Sequence, residues 1–160
     1  AAVLESAFGR RDEARMVAAL REAHAVLVSL VAQIPPEDRG RAPWPVVGHI
    51  ALSSVRIDGF SEPRGLGLGP LAVAPAHQRK GVGTQLVRAA LRRARLLGYS
   101  YVVVLGHPHY YPRFGFVPAS RFGLSYPEPI PEPVFMALEL ISGALVNVTG
   151  IVRYHEAFAG

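Results

Sequence analysis

The stretch that decides the fold is PLAVAPAHQRKGVGTQLVRAAL, residues 70–91. It begins as a short apolar strand, becomes basic, passes through two glycines and then shows helical spacing. The first amides of a helix lack partners inside it, and the helix dipole adds partial positive charge there. Gly81 and Gly83 let a ligand approach the backbone, and Arg79 and Lys80 add mobile charge. The stretch therefore predicts a site for a phosphorylated ligand.

The size and composition of the chain indicate one domain with its own core. The 160 residues match the length of one domain, and 50% of them are hydrophobic. No apolar run reaches the roughly 18 residues that a membrane-spanning helix needs. The first residues carry charge and no apolar segment, so no secretory signal is expected. The absence of cysteine excludes disulfides, thiolate metal ligands and a cysteine nucleophile, and a cytoplasmic location is the default expectation.

The charge of the chain is mildly basic. It carries 17 Lys and Arg against 12 Asp and Glu, a formal net charge of +5. The basic residues are scattered, with no block of five in succession. A solvated basic surface is therefore the favoured interpretation, and a nucleic-acid-binding domain is the alternative.

Hydrophobic periodicity and turn residues predict the other elements. Two helices are expected over residues 1–8 and 12–23, and two strands over 25–34 and 46–57 form an antiparallel hairpin. A loop over 58–69 leads to a short strand over 71–73, and a helix over 83–97 is closed by Gly98. After the helix we expect a buried strand of the parallel type (101–105), a proline-rich loop (127–133), a strand (134–140) and a last hairpin (143–154). The inner face of the helix is predicted to carry Val87, Ala90, Leu91, Ala94 and Leu97. This order predicts one α+β domain.

Residues 78–84 match one of three known patterns of phosphate-binding loops. The P-loop string GxxxxGK[ST] is absent, and the dinucleotide fingerprint GxGxxG has Leu86 at its third glycine position. The third pattern, [QR]-x-x-G-x-[GA], binds the pyrophosphate of acetyl-CoA, and Gln78, Gly81 and Gly83 match it. An ordinary strand-to-helix turn is the structural alternative.

With these residues the sequence resembles the GNAT superfamily of N-acetyltransferases. About thirty residues after the loop, YYPRFGF over residues 110–116 is similar to the FYxxxGF element of that family. The longer string LGHPHYYPRFGFVPA more narrowly resembles the bacterial YhbS-like acetyltransferases. The resemblance covers nearly the whole chain and is strongest over residues 70–119.

The resemblance implies a layered α/β/α fold with a mixed, mostly antiparallel central sheet and flanking helices. The family fold normally begins with a strand, and this chain is expected to start inside the first helix, without that strand. A single acetyltransferase domain is expected over residues 1–160. It would comprise N-terminal helices (1–24), antiparallel strands and a loop (25–70), an acetyl-CoA-binding core (71–119) and C-terminal strands with an acceptor-side loop (120–160).

The resemblance also implies an activity, the transfer of an acetyl group from acetyl-CoA to a primary amine of a small molecule or peptide by direct attack in a ternary complex. The strand over 71–73 would pair with the pantetheine arm, and an N–H near Val73 would face the thioester oxygen. The loop amides would hold the pyrophosphate. The implied acetyl-CoA-binding residues are Leu71, Ala72, Val73, Gln78, Arg79, Lys80, Gly81, Val82, Gly83 and Thr84.

By the same resemblance Tyr111 is the expected general acid, and packing is its alternative role. A phenol of pKa about 10 is a weaker acid than a thiol of pKa about 8.5, so donation to the departing thiolate needs favourable geometry. Tyr110 is expected to form wall or core, although a shift of one residue in the short helix would exchange the two roles. The general base stays open among Glu62, His49, His107 and a water held by a backbone carbonyl.

The expected partners are acetyl-CoA and an amine acceptor, without nucleic acid or membrane, and homodimer formation is left open. The acceptor side is expected at the loops 58–69 and 126–133 and the tail after Leu140. No metal is expected, because His107 and His109 have no third ligand nearby in the sequence. A binding-only alternative, an acetyl-CoA sensor without transfer, also stays open.

Overall fold

A single sheet of eight strands and one long helix make up most of the computed structural model, which describes residues 15, 18–19, 21–35, 44–131 and 133–156. The strands are β1 (Val26–Gln33), β2 (Val46–Ile57), β3 (Phe60–Val73), β4 (Tyr101–Leu105), β5 (Val117–Pro118), β6 (Leu124–Ser125), β7 (Phe135–Glu139) and β8 (Gly150–Tyr154). The central helix covers Val82–Leu96, and single 3-10 turns cover Pro75–His77, Tyr111–Phe114 and Ala119–Phe122.

The sheet is mixed and mostly antiparallel, which confirms the predicted fold class. Its order is β5-β7-β4-β3-β2-β8-β6, and β1 pairs with β2 on the same edge as β8. Within the described residues two strand pairings, β3 with β4 and β6 with β8, are parallel, and the others are antiparallel. The predicted hairpin of β1 and β2 and the parallel strand β4 are therefore confirmed. None of the helices in the described residues is long and apolar enough to cross a membrane.

The N-terminal helices are described only in part. The helix predicted over residues 12–23 ends where the Ala23 N–H bonds to the Ala19 carbonyl at 3.0 Å. The helix predicted over residues 1–8 lies outside the described residues, as does any strand before it.

The central helix packs on one face of the sheet through the side chains that its periodicity predicts. Val87, Ala90 and Ala94 are fully buried, and they share a core with Ile50, Leu52, Leu66, Leu68, Val102 and Val104. The prediction for Leu97 is wrong, because the helix ends at Leu96 and Leu97 is 42% exposed. Gly98, with φ +84°, then turns the chain toward β4.

The loop predicted over residues 58–69 is wrong, because this segment is the first part of the 14-residue strand β3. Two of its glycines, Gly65 and Gly67, are packing sites rather than turn sites. A Cβ atom at Gly65 would lie 2.0 Å from Cζ of Tyr101, and one at Gly67 would lie 2.6 Å from Cε1 of Tyr154. The turn is confined to Asp58 and Gly59, since Ile57 already pairs with Phe60.

The last predicted hairpin is also wrong. Residues 142–147 form turns, and β8 pairs with β2 and β6 rather than with the segment before it. The Leu145 N–H donates to a side chain, Oε2 of Glu139, at 2.8 Å, and not to the backbone of a neighbouring strand. The predicted strand over residues 134–140 is confirmed as β7.

Candidate acetyl-transfer site

An opening between β3 and β4 lies at the centre of the site. The two strands pair from Gly65 with Tyr101 to Leu68 with Val104. Two residues of β3, Gly69 and Pro70, then stand opposite the single Ala51 of β2, which makes a β-bulge. Beyond the bulge β3 stays paired with β2 but no longer with β4. The bulge therefore separates the parallel strands and leaves one edge of residues 71–73 open.

Backbone groups of β3 point into this opening. The Ala74 N–H donates to the Val47 carbonyl at 2.7 Å, and Val73 stands opposite Gly48. Antiparallel ladders alternate between bonded and non-bonded pairs, so the N–H and C=O of Val73 point away from β2, as do those of Leu71. The Gln78 side-chain nitrogen donates to the Val73 carbonyl at 2.9 Å. The other three groups remain available to an extended ligand.

The loop after β3 brings a helix N-terminus to the same opening. Arg79 has φ +61° and Gly81 has φ +84°, so the chain passes twice through the left-handed region before the central helix begins at Val82. The first helical hydrogen bond runs from Gln85 N–H to Gly81 C=O at 3.0 Å, and no side chain caps this end. The amides of residues 82–84 therefore lack helical partners, which suits an anion.

A cleft of about 410 Å³ joins the strand edge to the helix amides. Among the described residues its lining includes two arginines and no carboxylate, so it is electropositive. The lining residues are Val73, His77, Gln78, Arg79, Gly81, Gly83, Thr84, Tyr110 and Arg113. The structure thus brings together six of the ten residues predicted for the cofactor. Of the other four, Ala72 is buried and Lys80 is exposed, and neither these two nor Leu71 and Val82 line the cleft.

Arg113 is a cleft residue that the sequence reasoning missed. Its guanidinium lies 4.3 Å from the ring centroid of Tyr110, and its Nε donates to the Tyr110 carbonyl at 2.8 Å. The Tyr110 hydroxyl lies 3.1 Å from the Thr84 hydroxyl. Tyr110, expected to form wall or core, therefore forms a wall that links the short turn to the start of the helix. An arginine three residues after a tyrosine in one helical turn was the available signal.

Tyr111 lies deeper than Tyr110. It is 8% exposed, and its ring packs edge-on against Phe116 at 5.7 Å between centroids. The ring of Tyr111 packs over Gly106, where a Cβ atom would overlap Cε2 of the ring. Gly106 directly follows β4, beyond the last residue of β4 that pairs with β3. Burial raises the pKa of Tyr111 to about 12, and the neighbouring Tyr110 adds to this. Its role as general acid stays a prediction.

None of the three candidate bases lines the cleft. Glu62 is exposed near the far end of β3, eleven residues before Val73 and about 36 Å along an extended strand. His107 is exposed, and its carbonyl accepts the Tyr110 N–H at 3.1 Å. Among the described residues, no three acidic or histidine side chains are grouped to hold a metal ion.

His49, the third candidate, is a buried histidine on β2 opposite Ala72. It is 5% exposed, and its Nε2 lies 3.1 Å from the Ser29 hydroxyl and 3.3 Å from Nη2 of Arg21. Burial, with a contribution from Arg21, lowers the pKa of His49 to about 4. The ring is therefore neutral at pH 7 and a poor proton acceptor.

An open strand edge that meets a helix N-terminus across a Gln-x-x-Gly-x-Gly loop defines the acetyltransferase class that the sequence resembles. The model of the acetyltransferase (GNAT) family matches residues 4–116, and the chain belongs to this family. The chain is 37% identical over 157 residues to the N-acetyltransferase YhbS of Escherichia coli K12. The aligned residues cover 98% of this chain and 89% of that relative. The resemblance found in the sequence is thereby confirmed.

Solved structures agree with this assignment. The crystal structure of E. coli YhbS in complex with CoA matches with a TM-score of 0.88 and 36% identity, over 99% of this chain and 84% of that one. A GNAT family acetyltransferase from Brucella melitensis in complex with acetyl-CoA matches with a TM-score of 0.75 and 37% identity, over 98% and 87%.

Proposed function

We propose that the protein transfers an acetyl group from acetyl-CoA to a primary amine of a small molecule or peptide. The observation that carries this proposal is the continuity of the cleft from an open strand edge to three helix amides without partners. A ligand with an extended amide-bearing arm and a diphosphate fits both parts. The two similar proteins solved with CoA and acetyl-CoA support the choice of ligand.

The residues of the cleft fit the two halves of acetyl-CoA. The amides of residues 82–84 would hold the diphosphate, and Arg79 and Arg113 would add charge. Leu71 and Val73 would pair with the arm, and one of their N–H groups would polarise the carbonyl oxygen of the acetyl group. Bound acetyl-CoA supplies an activated thioester and a thiolate leaving group. The surrounding residues orient it, and no carboxylate from the part of the chain that the structure describes lines the cleft to repel its phosphates.

We propose that Tyr111 donates a hydrogen bond to the departing sulfur. With a pKa of about 12 the phenol keeps its proton through neutral and alkaline pH. Complete transfer to a thiolate of pKa about 8.5 would be uphill by about 5 kcal/mol, so stabilisation by the hydrogen bond is the larger part of its role. The amine would reach the thioester neutral or lose its proton to a water held by a backbone carbonyl, because none of the three candidate side chains lines the cleft.

A thermal-shift experiment tests the proposed ligand. Acetyl-CoA at about 100 times its Kd should raise the free energy of unfolding by about 2.7 kcal/mol. Gly81→Val should abolish the shift, because the left-handed φ of +84° opposes a branched side chain at the loop. Gly59→Val is the matched control, since Gly59 has φ +85° and equally open surroundings but lies in the distant β2–β3 turn. Equal shifts in both variants would contradict the assignment.

A thiol-release assay tests transfer separately from binding. The protein and acetyl-CoA are incubated with a panel of primary amines, and free CoA is measured against a sample without amine. Amine-dependent release supports transfer. Binding without release for every amine would replace the proposal with a binding-only role.

A further inference from the structure

Gln78 joins two parts of the cleft that are separate in the chain. Its side-chain nitrogen donates to the carbonyl of Val73, the last residue of β3, at 2.9 Å. Its backbone N–H donates to the Pro75 carbonyl at 3.4 Å. The next residue, Arg79, begins the left-handed passage with φ +61°. Gln78 therefore ties the end of the strand to the start of the loop across the short 3-10 turn.

The loop has few other restraints. Arg79 and Lys80 make no hydrogen bond to the described residues, and the next bond along the chain is the first helical one, to Gly81 C=O. A non-glycine residue with positive φ is unfavourable and persists where neighbouring contacts hold it. The contacts nearest to Arg79 are the two hydrogen bonds of Gln78. Gln78 is thus placed to fix where the helix amides lie relative to the strand edge.

We propose that Gln78 is a positioning residue whose carboxamide sets the spacing between the Val73 edge and the amides of residues 82–84. The inference rests on the proposed function. Its consequence is that one acetyl-CoA molecule reaches both anchors at once without reordering the loop. The Val73 carbonyl keeps a second lone pair, so the same oxygen can still accept a hydrogen bond from the ligand arm. Gln78 acts through this spacing and makes no contact with the ligand.

The first test replaces the carboxamide with an isosteric apolar group. Gln78→Met should raise KM for acetyl-CoA about three- to tenfold, the effect of losing one hydrogen bond, and should leave kcat within about twofold. Gln85→Met is the matched control, because Gln85 is an exposed glutamine on the central helix outside the cleft. An unchanged KM in Gln78→Met would overturn the inference.

The second test separates positioning from direct contact by using the two halves of the ligand as inhibitors. ADP carries a diphosphate without the arm, and S-acetylpantetheine carries the arm without the diphosphate. Each half needs one anchor only, so their inhibition constants should be the same in wild type and Gln78→Met within about twofold. If ADP weakens by the same factor as acetyl-CoA, the side chain contacts the phosphates and the inference is wrong.

The two proposals fail in different ways. If acetyl-CoA produces no thermal shift in the wild-type protein, the proposed function is wrong and the inference falls with it. If acetyl-CoA shifts the wild type and KM is the same in Gln78→Met, only the inference about Gln78 is wrong.

Discussion

The two ends of β3 differ in what lies beside them. At the closed end, Gly65–Leu68, the strand is buried between β2 and β4, and tyrosine rings cover its glycines. At the open end, Leu71–Val73, β2 is the only neighbour among the described strands, and backbone groups face a cleft. One strand thus supplies packing at one end and ligand access at the other. Substitutions at the closed end should therefore change stability, and those around the open end should change catalysis.

The largest expected effect lies beside the open end. Tyr111→Phe should lower kcat by about two to four orders of magnitude if the phenol stabilises the departing sulfur. The Kd for acetyl-CoA should change little, because the hydrogen bond matters mainly in the transition state. With a pKa of about 12, loss of the Tyr111 proton should contribute no basic limb to the pH–rate profile below about pH 11.

Tyr110→Phe is the control for this variant. It removes the hydroxyl that lies 3.1 Å from Thr84 and keeps the ring under Arg113. A large loss of turnover in Tyr110→Phe, with near-normal turnover in Tyr111→Phe, would move the donor role to Tyr110. Normal turnover in both would mean that the thiolate leaves without help from either phenol.

At the closed end the effect should be on stability. Gly65→Ala places a methyl group in overlap with three ring atoms of Tyr101, which is fully buried. We expect the free energy of unfolding to fall by about 3 kcal/mol in urea titration. Gly83→Ala is the comparison, since its nearest contact would be an ordinary 3.6 Å. A loss in Gly83→Ala as large as that in Gly65→Ala would remove the distinction between the two ends.

His49, opposite Ala72 at the open end, should make stability fall in acid. Its pKa is lowered to about 4 in the folded protein, against a model-peptide value of 6.5, so unfolding takes up a proton between these values. The contribution of neutral His49 to the free energy of unfolding is complete above about pH 6.5 and is lost as the pH falls from there through 4. About 2 kcal/mol of it is lost between pH 7.5 and 5. Urea titrations across this pH range should show the free energy of unfolding falling with pH.

His49→Gln should flatten the dependence of the free energy of unfolding on pH. The matched control is His109→Gln, which alters an exposed histidine and should leave that dependence unchanged. If that dependence survives in His49→Gln, other groups cause the acid sensitivity.

The smallest effect is expected in the proline-rich loop over residues 126–133. Glu128→Gln should change the acceptor KM by a few-fold, because the exposed charge of Glu128 contributes about 1 kcal/mol or less; Glu132, predicted on the same side, lies outside the described residues. The KM for acetyl-CoA should stay constant. A change in the acetyl-CoA KM instead would place the loop on the cofactor side of the site.

The sequence was sufficient for the elements whose periodicity is strong. The central helix, β1, β2, β4 and β7 follow from apolar spacing, and Gln78, Gly81 and Gly83 mark the loop. The first part of β3, before the predicted strand over residues 71–73, was predicted as a loop because glycine and proline weaken strand propensity. Gly65 and Gly67 make room for the rings of Tyr101 and Tyr154, which are distant in the sequence. The alternation Gly-Leu-Gly-Leu over residues 65–68 and the Asp58-Gly59 turn were the overlooked signals.

Two parts of the site depend on geometry that a linear pattern does not contain. Neighbouring tyrosines in a single 3-10 turn point in directions set by the packing of Phe114 and Phe116, so spacing alone does not separate Tyr110 from Tyr111. The burial that lowers the pKa of His49 is likewise invisible in sequence. The cofactor loop was predictable because its function needs particular backbone angles and hence particular residues.

The bulge at Gly69 and Pro70 has a consequence for any engineer who recombines this chain with its relatives. Before it, the even-numbered Leu66 and Leu68 project toward the central helix. After it, the odd-numbered Leu71 and Val73 do so, with side-chain atoms 3.9 and 3.6 Å from where a Cβ of Gly83 would lie. The strand thus changes phase by one residue at the bulge. A chimera that drops one of the two bulge residues would restore a regular ladder, with Leu71 and Val73 still facing the helix, but it would lose the bulge that separates β3 from β4. Crossover points for chimeras therefore belong outside residues 68–73, so that both bulge residues are kept and the strand edge stays open.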